Sequence, residues 1–197
     1  MKPFAQACER NREPILEVLR EAFAEARVAL EIGSGTGQHA VYFGAALPQL
    51  RWLTSELPQN HAGIRAWLDE AGLDNVEPPL TLDIGADRWP VDLVDAVFSA
   101  NVLHIVAWPL VERLFAGVER HLRPSGVLAV YGPFNYGGSY TSESNAQFDV
   151  WLKARDPASG IRDFAAVDAL AQRHGLALVA DHAMPANNRM LVWRMRN

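Results

Sequence analysis

The chain has 197 residues, 49% of them hydrophobic and 21% charged, and a formal net charge of −5. That length suits one domain with a sizeable core, and the balance of apolar and charged residues excludes a disordered chain. The acidic total offers no global attraction to phosphate backbones, which disfavours nucleic acid as a partner. The single cysteine, Cys8, permits neither an internal disulfide nor a tetrahedral zinc site and fits a reducing compartment. No apolar run reaches membrane-spanning length, and the first residues lack the apolar core of a signal peptide; the expectation is a cytoplasmic protein without membrane association.

Helical and strand-like patterns alternate throughout, without repeats or a composition break, so one α/β domain is predicted over 1–197. A first helix is expected over 12–25, capped by Asn11, with Pro14 in its first turns and Ile15, Leu16, Leu19, Ala22 and Phe23 on one face, packed as a lid or buttress. A buried strand over 27–32 enters Gly33-Ser34-Gly35-Thr36-Gly37, and a helix follows to about Leu47. A second strand over 50–55 ends at Glu56, a helix covers 60–71 and stops at Gly72, and a third strand ends at Asp83. The fourth, over 93–100, is nearly all apolar after Asp92 and Asp95, the pattern of a parallel strand covered on both faces. Pro109 opens a helix to His121, residues 123–126 turn the chain, and 127–131 form a fifth strand. The stretch 132–160, rich in Gly, Ser, Asn and aromatics, reads as an insert contributing to a substrate site, with one short helix over 146–153. A helix over 164–174 and strands over 176–183 and 189–195, joined at Pro185-Ala186-Asn187-Asn188, end a mostly parallel sheet in an antiparallel hairpin.

In an open α/β sheet the ligand crevice lies at the carboxyl ends of the strands, where Gly33, Gly35 and Gly37 allow close approach to the main chain. Gly35-x-Gly37-x-x-Ala40 also satisfies a relaxed dinucleotide fingerprint. Against a dinucleotide, Glu31 places a carboxylate before the loop, suited to the ammonium end of S-adenosylmethionine (SAM) and repulsive to a pyrophosphate. Glu56, at the tip of strand two, can accept from both ribose hydroxyls, which suits NAD equally. Asp83 and Ile84 resemble the pair with which class I methyltransferases bond the adenine amino group and cover the ring. Each acid also has a local reading: Glu31 as a cap or pair, Glu56 as a helix-start acid, Asp83 as a turn residue before Gly85.

The sequence resembles the small class I methyltransferase-like proteins grouped as a domain of unknown function, a family that includes human methyltransferase-like protein 26. The likeness runs through Ala7-Cys8-Glu9-Arg10-Asn11, Gly35-Thr36-Gly37-Gln38-His39-Ala40, Ser99 to Ile105, Tyr131-Gly132-Pro133-Phe134, Ser144-Asn145 with Phe148-Asp149, Gly160-Ile161-Arg162-Asp163 and Met184 to Asn188. It implies a seven-stranded, Rossmann-like sheet and SAM as cofactor, with S-adenosylhomocysteine as product, and no established substrate.

Methyl transfer is an in-line displacement, so orientation of the acceptor is the main requirement and a general base is optional. The loop after strand four faces the methyl group in this fold and holds Ser99, expected beside the cofactor, with Asn101 and His104 as catalytic candidates. His104 is a base or acceptor ligand, or alternatively a histidine bonded to backbone near the adenine. Tyr136 is expected in the acceptor cavity with Asn135, while Tyr131 is equally a core residue. Arg10, Asn11, Asn187 and Asn188 reach the cleft or serve as caps and turns. His39, His61, His121, His174 and His182 lack metal spacing, so no metal is predicted. A nucleic-acid methyltransferase would carry an Asn/Asp-Pro-Pro-aromatic loop where Ser99-Ala100-Asn101-Val102 stands, and Cys8 is misplaced for cytosine chemistry. A small-molecule acceptor is therefore preferred over nucleic acid or protein, with a non-catalytic SAM-binding protein as the other alternative.

Overall fold

The computed structural model describes residues 2–197. The chain runs α1 (Gln6–Ala22), β1 (Val28–Ile32), α2 (Gln38–Ala46), β2 (Arg51–Glu56), α3 (His61–Ala71), β3 (Val76–Thr81), β4 (Val94–Ala100), α4 (Trp108–His121), β5 (Leu122–Gly132), β6 (Phe134–Asn135), α5 (Glu143–Arg155), β7 (Arg162–Asp163), α6 (Phe164–Arg173), β8 (Leu176–Met184) and β9 (Asn188–Met195). Seven of these strands form one sheet in the order β3-β2-β1-β4-β5-β9-β8. The first five of them in chain order pair in parallel, and β9 runs antiparallel to both β5 and β8. Strand order reverses between β1 and β4, which makes the crevice above their carboxyl ends the switch point of the sheet.

The period of two along the strands divides the core. Ala29, Trp52, Phe98 and Val192 face α1 and α2 in one apolar layer, while Leu30, Val97, Leu128 and Trp193 face α4 and α6 in the other. Two prolines, Pro78 and Pro79, sit in β3, at the margin of the sheet where a missing N–H is tolerated. Among the described residues, no helix is long and apolar enough to cross a membrane.

Several boundaries differ from the sequence expectation; β5 begins at Leu122 and includes residues 123–126, where the sequence predicts a turn. The first helix starts at Gln6, not 12, and Asn11 is not its cap but a buried residue in its middle. Placing Pro14 in the first turn would cost no hydrogen bond. The longer helix accommodates Pro14 internally because Ile15, Leu16, Leu19 and Phe23 are buried against α2 and the sheet, and Gln38 Oε1 accepts from the Ala5 N–H at 2.6 Å. The insert helix is α5, longer than 146–153, because Ser142 caps it by accepting from the Asn145 N–H at 3.1 Å. Finally, β3 ends at Thr81, and Asp83 lies two residues beyond in a turn closed by the Gly85 N–H to Asp83 Oδ1 at 2.8 Å.

Candidate cofactor and acceptor site

The glycine loop is braced from below by two carboxylates. Glu31, 2% exposed, accepts from the Ser34 hydroxyl at 2.9 Å and from Trp52 Nε1 at 3.1 Å. Burial drives its carboxyl up to about 7, against the lowering effect of those two donors. Glu56 Oε2 accepts from the Gly35 N–H at 3.0 Å, and its Oε1 from the Leu57 N–H at 2.8 Å. Gly33 and Gly35 both have positive φ, and a Cβ on Gly33 would stand 2.6 Å from Val102 Cγ2.

Above this loop lies a cavity of about 540 Å³, within the usual size of a cofactor or small-ligand site. Gly33, Gly35, Glu56, Asp83, Ile84 and Asn101 all border it, so six of the predicted site residues meet around one space. Gly37, Glu31 and Ser99 support the site from outside its lining. Gly37 precedes α2 with φ of 89° beside Ile64, and the Ser99 hydroxyl donates to the Ile32 carbonyl at 3.1 Å inside the sheet. Asn101 takes φ of 60° and donates its N–H to the Tyr131 carbonyl at 2.8 Å, fixing the turn after β4. In that conformation Asn is favoured over most residues because its short amide tolerates the left-handed region.

His104 and Tyr136 are not in the lining. His104 is buried, with its ring edge-on to Phe148 at 5.4 Å, and a Cβ on Gly132 would lie 3.5 Å from its Nδ1. Burial, then the Arg162 guanidinium, lowers its pKa to about 4, so the ring is neutral at physiological pH. The Tyr136 hydroxyl donates to Asp181 Oδ2 at 2.8 Å and its ring stacks on Phe164 at 5.2 Å. Arg162, in β7 just past the insert, donates to the carbonyls of Leu103, Val106 and Ala158 and so ties the loop after β4 to the loop before β7. Asp149 organises the same insert by accepting from the Tyr140 hydroxyl at 2.7 Å and the Ile161 N–H at 2.6 Å.

Sequence reasoning missed Ala5, Cys8 and His39 as cavity residues. Burial, then the Glu31 charge, raises the Cys8 thiol to about 11, so it remains protonated. His39 carried a signal in its position two residues past Gly37, in the first turn of the helix that the loop opens. Among the described residues no three or more His, Cys, Asp and Glu side chains are grouped to hold a metal ion.

The sheet order, the antiparallel hairpin and the crevice at the switch point define a single domain of the class I methyltransferase fold. The chain belongs to the family described as "Protein of unknown function (DUF938)", whose model matches residues 2–195. An O-methyltransferase family protein from Burkholderia thailandensis superposes with a TM-score of 0.85 at 18% identity, over 97% of this chain and 58% of that one. An O-methyltransferase family 2 protein from Planctomyces limnophilus in complex with apigenin gives 0.85 at 17% identity, over 95% and 57%. PigF with SAH gives 0.78 at 17% identity, over 92% and 54%. The chain thus spans less than two thirds of the proteins it matches.

Proposed function

We propose that the chain binds S-adenosylmethionine and transfers its methyl group to a small-molecule acceptor, as a cytoplasmic enzyme related to human methyltransferase-like protein 26. The observation that carries this reading is the convergence of Gly33, Gly35, Glu56, Asp83, Ile84 and Asn101 on one cavity at the switch point. The residues fit the cofactor: Gly33 leaves no room for a Cβ, Glu56 presents a carboxylate at the tip of β2, and Ile84 supplies an apolar cover next to Asp83. Bound there, the sulfonium supplies an activated methyl group. Glu56 and Asp83 would hold the adenosine half by accepting hydrogen bonds, while Glu31 keeps the loop in place through Ser34.

Of the acceptor-side candidates, Asn101 stands on the cavity wall, His104 packs behind Gly132, and Tyr136 is engaged by Asp181. Catalysis on this reading is mainly orientation and exclusion of water. The SAH carried by one structural neighbour and the apigenin carried by another accord with an adenosyl cofactor and a small acceptor. Calorimetry tests the cofactor: SAM and S-adenosylhomocysteine are expected to bind, and binding of NADH but of neither of these overturns the reading. A labelled-methyl screen of metabolite extracts is expected to yield a labelled small product.

A further inference from the structure

His39 borders the same cavity as Gly33 and Asn101, from the first turn of α2. Its ring lies against Phe43 at 5.1 Å, edge-on to Phe98 at 6.2 Å, with Nε2 2.7 Å from Asn11 Oδ1. Asn11 is only 6% exposed in the middle of α1, near the Tyr131 hydroxyl, which Asn188 also approaches. An amide oxygen only accepts, so Nε2 of His39 carries the hydrogen and the neutral ring keeps its lone pair at Nδ1. Burial, then the Arg12 guanidinium, lowers the His39 pKa to about 4, which preserves this form through neutral pH.

The charge of the cavity wall points the same way. Among the described residues, Glu56 and Asp83 are its charged members and no Lys or Arg lines it. A carboxylate or phosphate on the acceptor would lose its water there without gaining a counter-charge from any lining side chain, whereas an apolar body would meet Val102, Ile105 and Leu110.

We propose that His39, oriented by Asn11, is the acceptor-binding group, and that its Nδ1 receives a hydrogen bond from the hydroxyl or N–H of an uncharged, mostly apolar acceptor. This assignment rests on the methyltransferase reading above. Asn11 acts as a positioning residue: it fixes the tautomer without touching the acceptor.

The test uses the full chain saturated with S-adenosylhomocysteine, its histidine nitrogens followed by NMR, with phenol, aniline and benzoate as probes. Phenol and aniline are expected to bind and shift the unprotonated nitrogen of His39, and benzoate to bind at least about tenfold more weakly. His39→Phe, which keeps the stack on Phe43, should weaken phenol by about tenfold or more while S-adenosylhomocysteine affinity stays within about threefold. The shift in the wild-type chain stands as evidence even if that variant does not fold. Neutral probes that fail to bind, a bound phenol that leaves the His39 nitrogen unmoved, benzoate equal to phenol, or a folded His39→Phe that binds phenol normally each overturn the assignment. Failure of S-adenosylhomocysteine to bind the wild type overturns the cofactor reading instead.

Discussion

Trp52 donates its indole hydrogen to Glu31 at 3.1 Å, joining β2 to the residue that precedes the glycine loop. Because burial holds the Glu31 carboxyl at about 7 rather than 4.5, the folded chain keeps a proton that the unfolded chain has released. Glu31 therefore lowers stability as pH rises from 4.5 to 7, by roughly 3 kcal/mol in full, and the penalty persists above that window. Glu31→Gln should raise the urea midpoint at pH 8 relative to the wild type and leave it closer at pH 5. Identical pH profiles for the two proteins would show that the carboxyl is ionised in the folded chain throughout.

His104 has the opposite sign. Its folded pKa of about 4 lies below the usual 6.5, so the unfolded chain binds the extra proton. Its contribution is complete above pH 6.5 and is lost as pH falls toward 4, again on the order of 3 kcal/mol. His104→Phe should flatten the acid side of the stability curve, measured as denaturant midpoints from pH 7 down to 4.5. An unchanged acid slope would mean that the ring is charged in the folded state.

Glu56 bonds the Gly35 N–H at 3.0 Å and borders the cavity. Loss of its charge should weaken S-adenosylhomocysteine by about 10- to 100-fold, the worth of one hydrogen bond to a charged acceptor. Calorimetry of Glu56→Gln gives the value; an affinity equal to wild type removes Glu56 from the cofactor contacts.

Gly33 and Gly35 separate backbone strain from occupancy of the cavity. Both require positive φ, but an added Cβ at Gly33 meets Val102 at 2.6 Å while one at Gly35 meets nothing within 4 Å. Gly35→Ala should cost about 1–2 kcal/mol of stability from strain alone. Gly33→Ala adds overpacking of about 1–3 kcal/mol to the same strain. Thermal unfolding should rank Gly33→Ala below Gly35→Ala, and equal melting temperatures would contradict the close approach of Val102 to Gly33.

The sheet was legible because its signals are local. The nearly continuous apolar run of β4, the loop from Gly33 to Gly37 and the cap at Gly72, which takes φ of 59°, each announce themselves within a few positions. The position of Glu56 and Asp83 on the cavity wall was legible for the same reason, since topology places them at or just beyond strand ends. The acceptor side depends on contacts between distant segments. Asn11 reads as a cap until His39, 28 positions away, is seen to hold its amide. Tyr136 reads as a cavity residue until Asp181, 45 positions away, engages its hydroxyl. Periodicity carries no information about such pairs.

Pro78 and Pro79, side by side in β3, shape the outer margin of the sheet. Successive N–H groups along a strand point to opposite sides, so one of the two prolines leaves the free margin lacking a donor and interrupts the ladder that a foreign strand would form. The protein is thereby guarded against edge-to-edge polymerisation on this side. Replacing both prolines with valine would open the margin to such growth, and self-association in light scattering would report it.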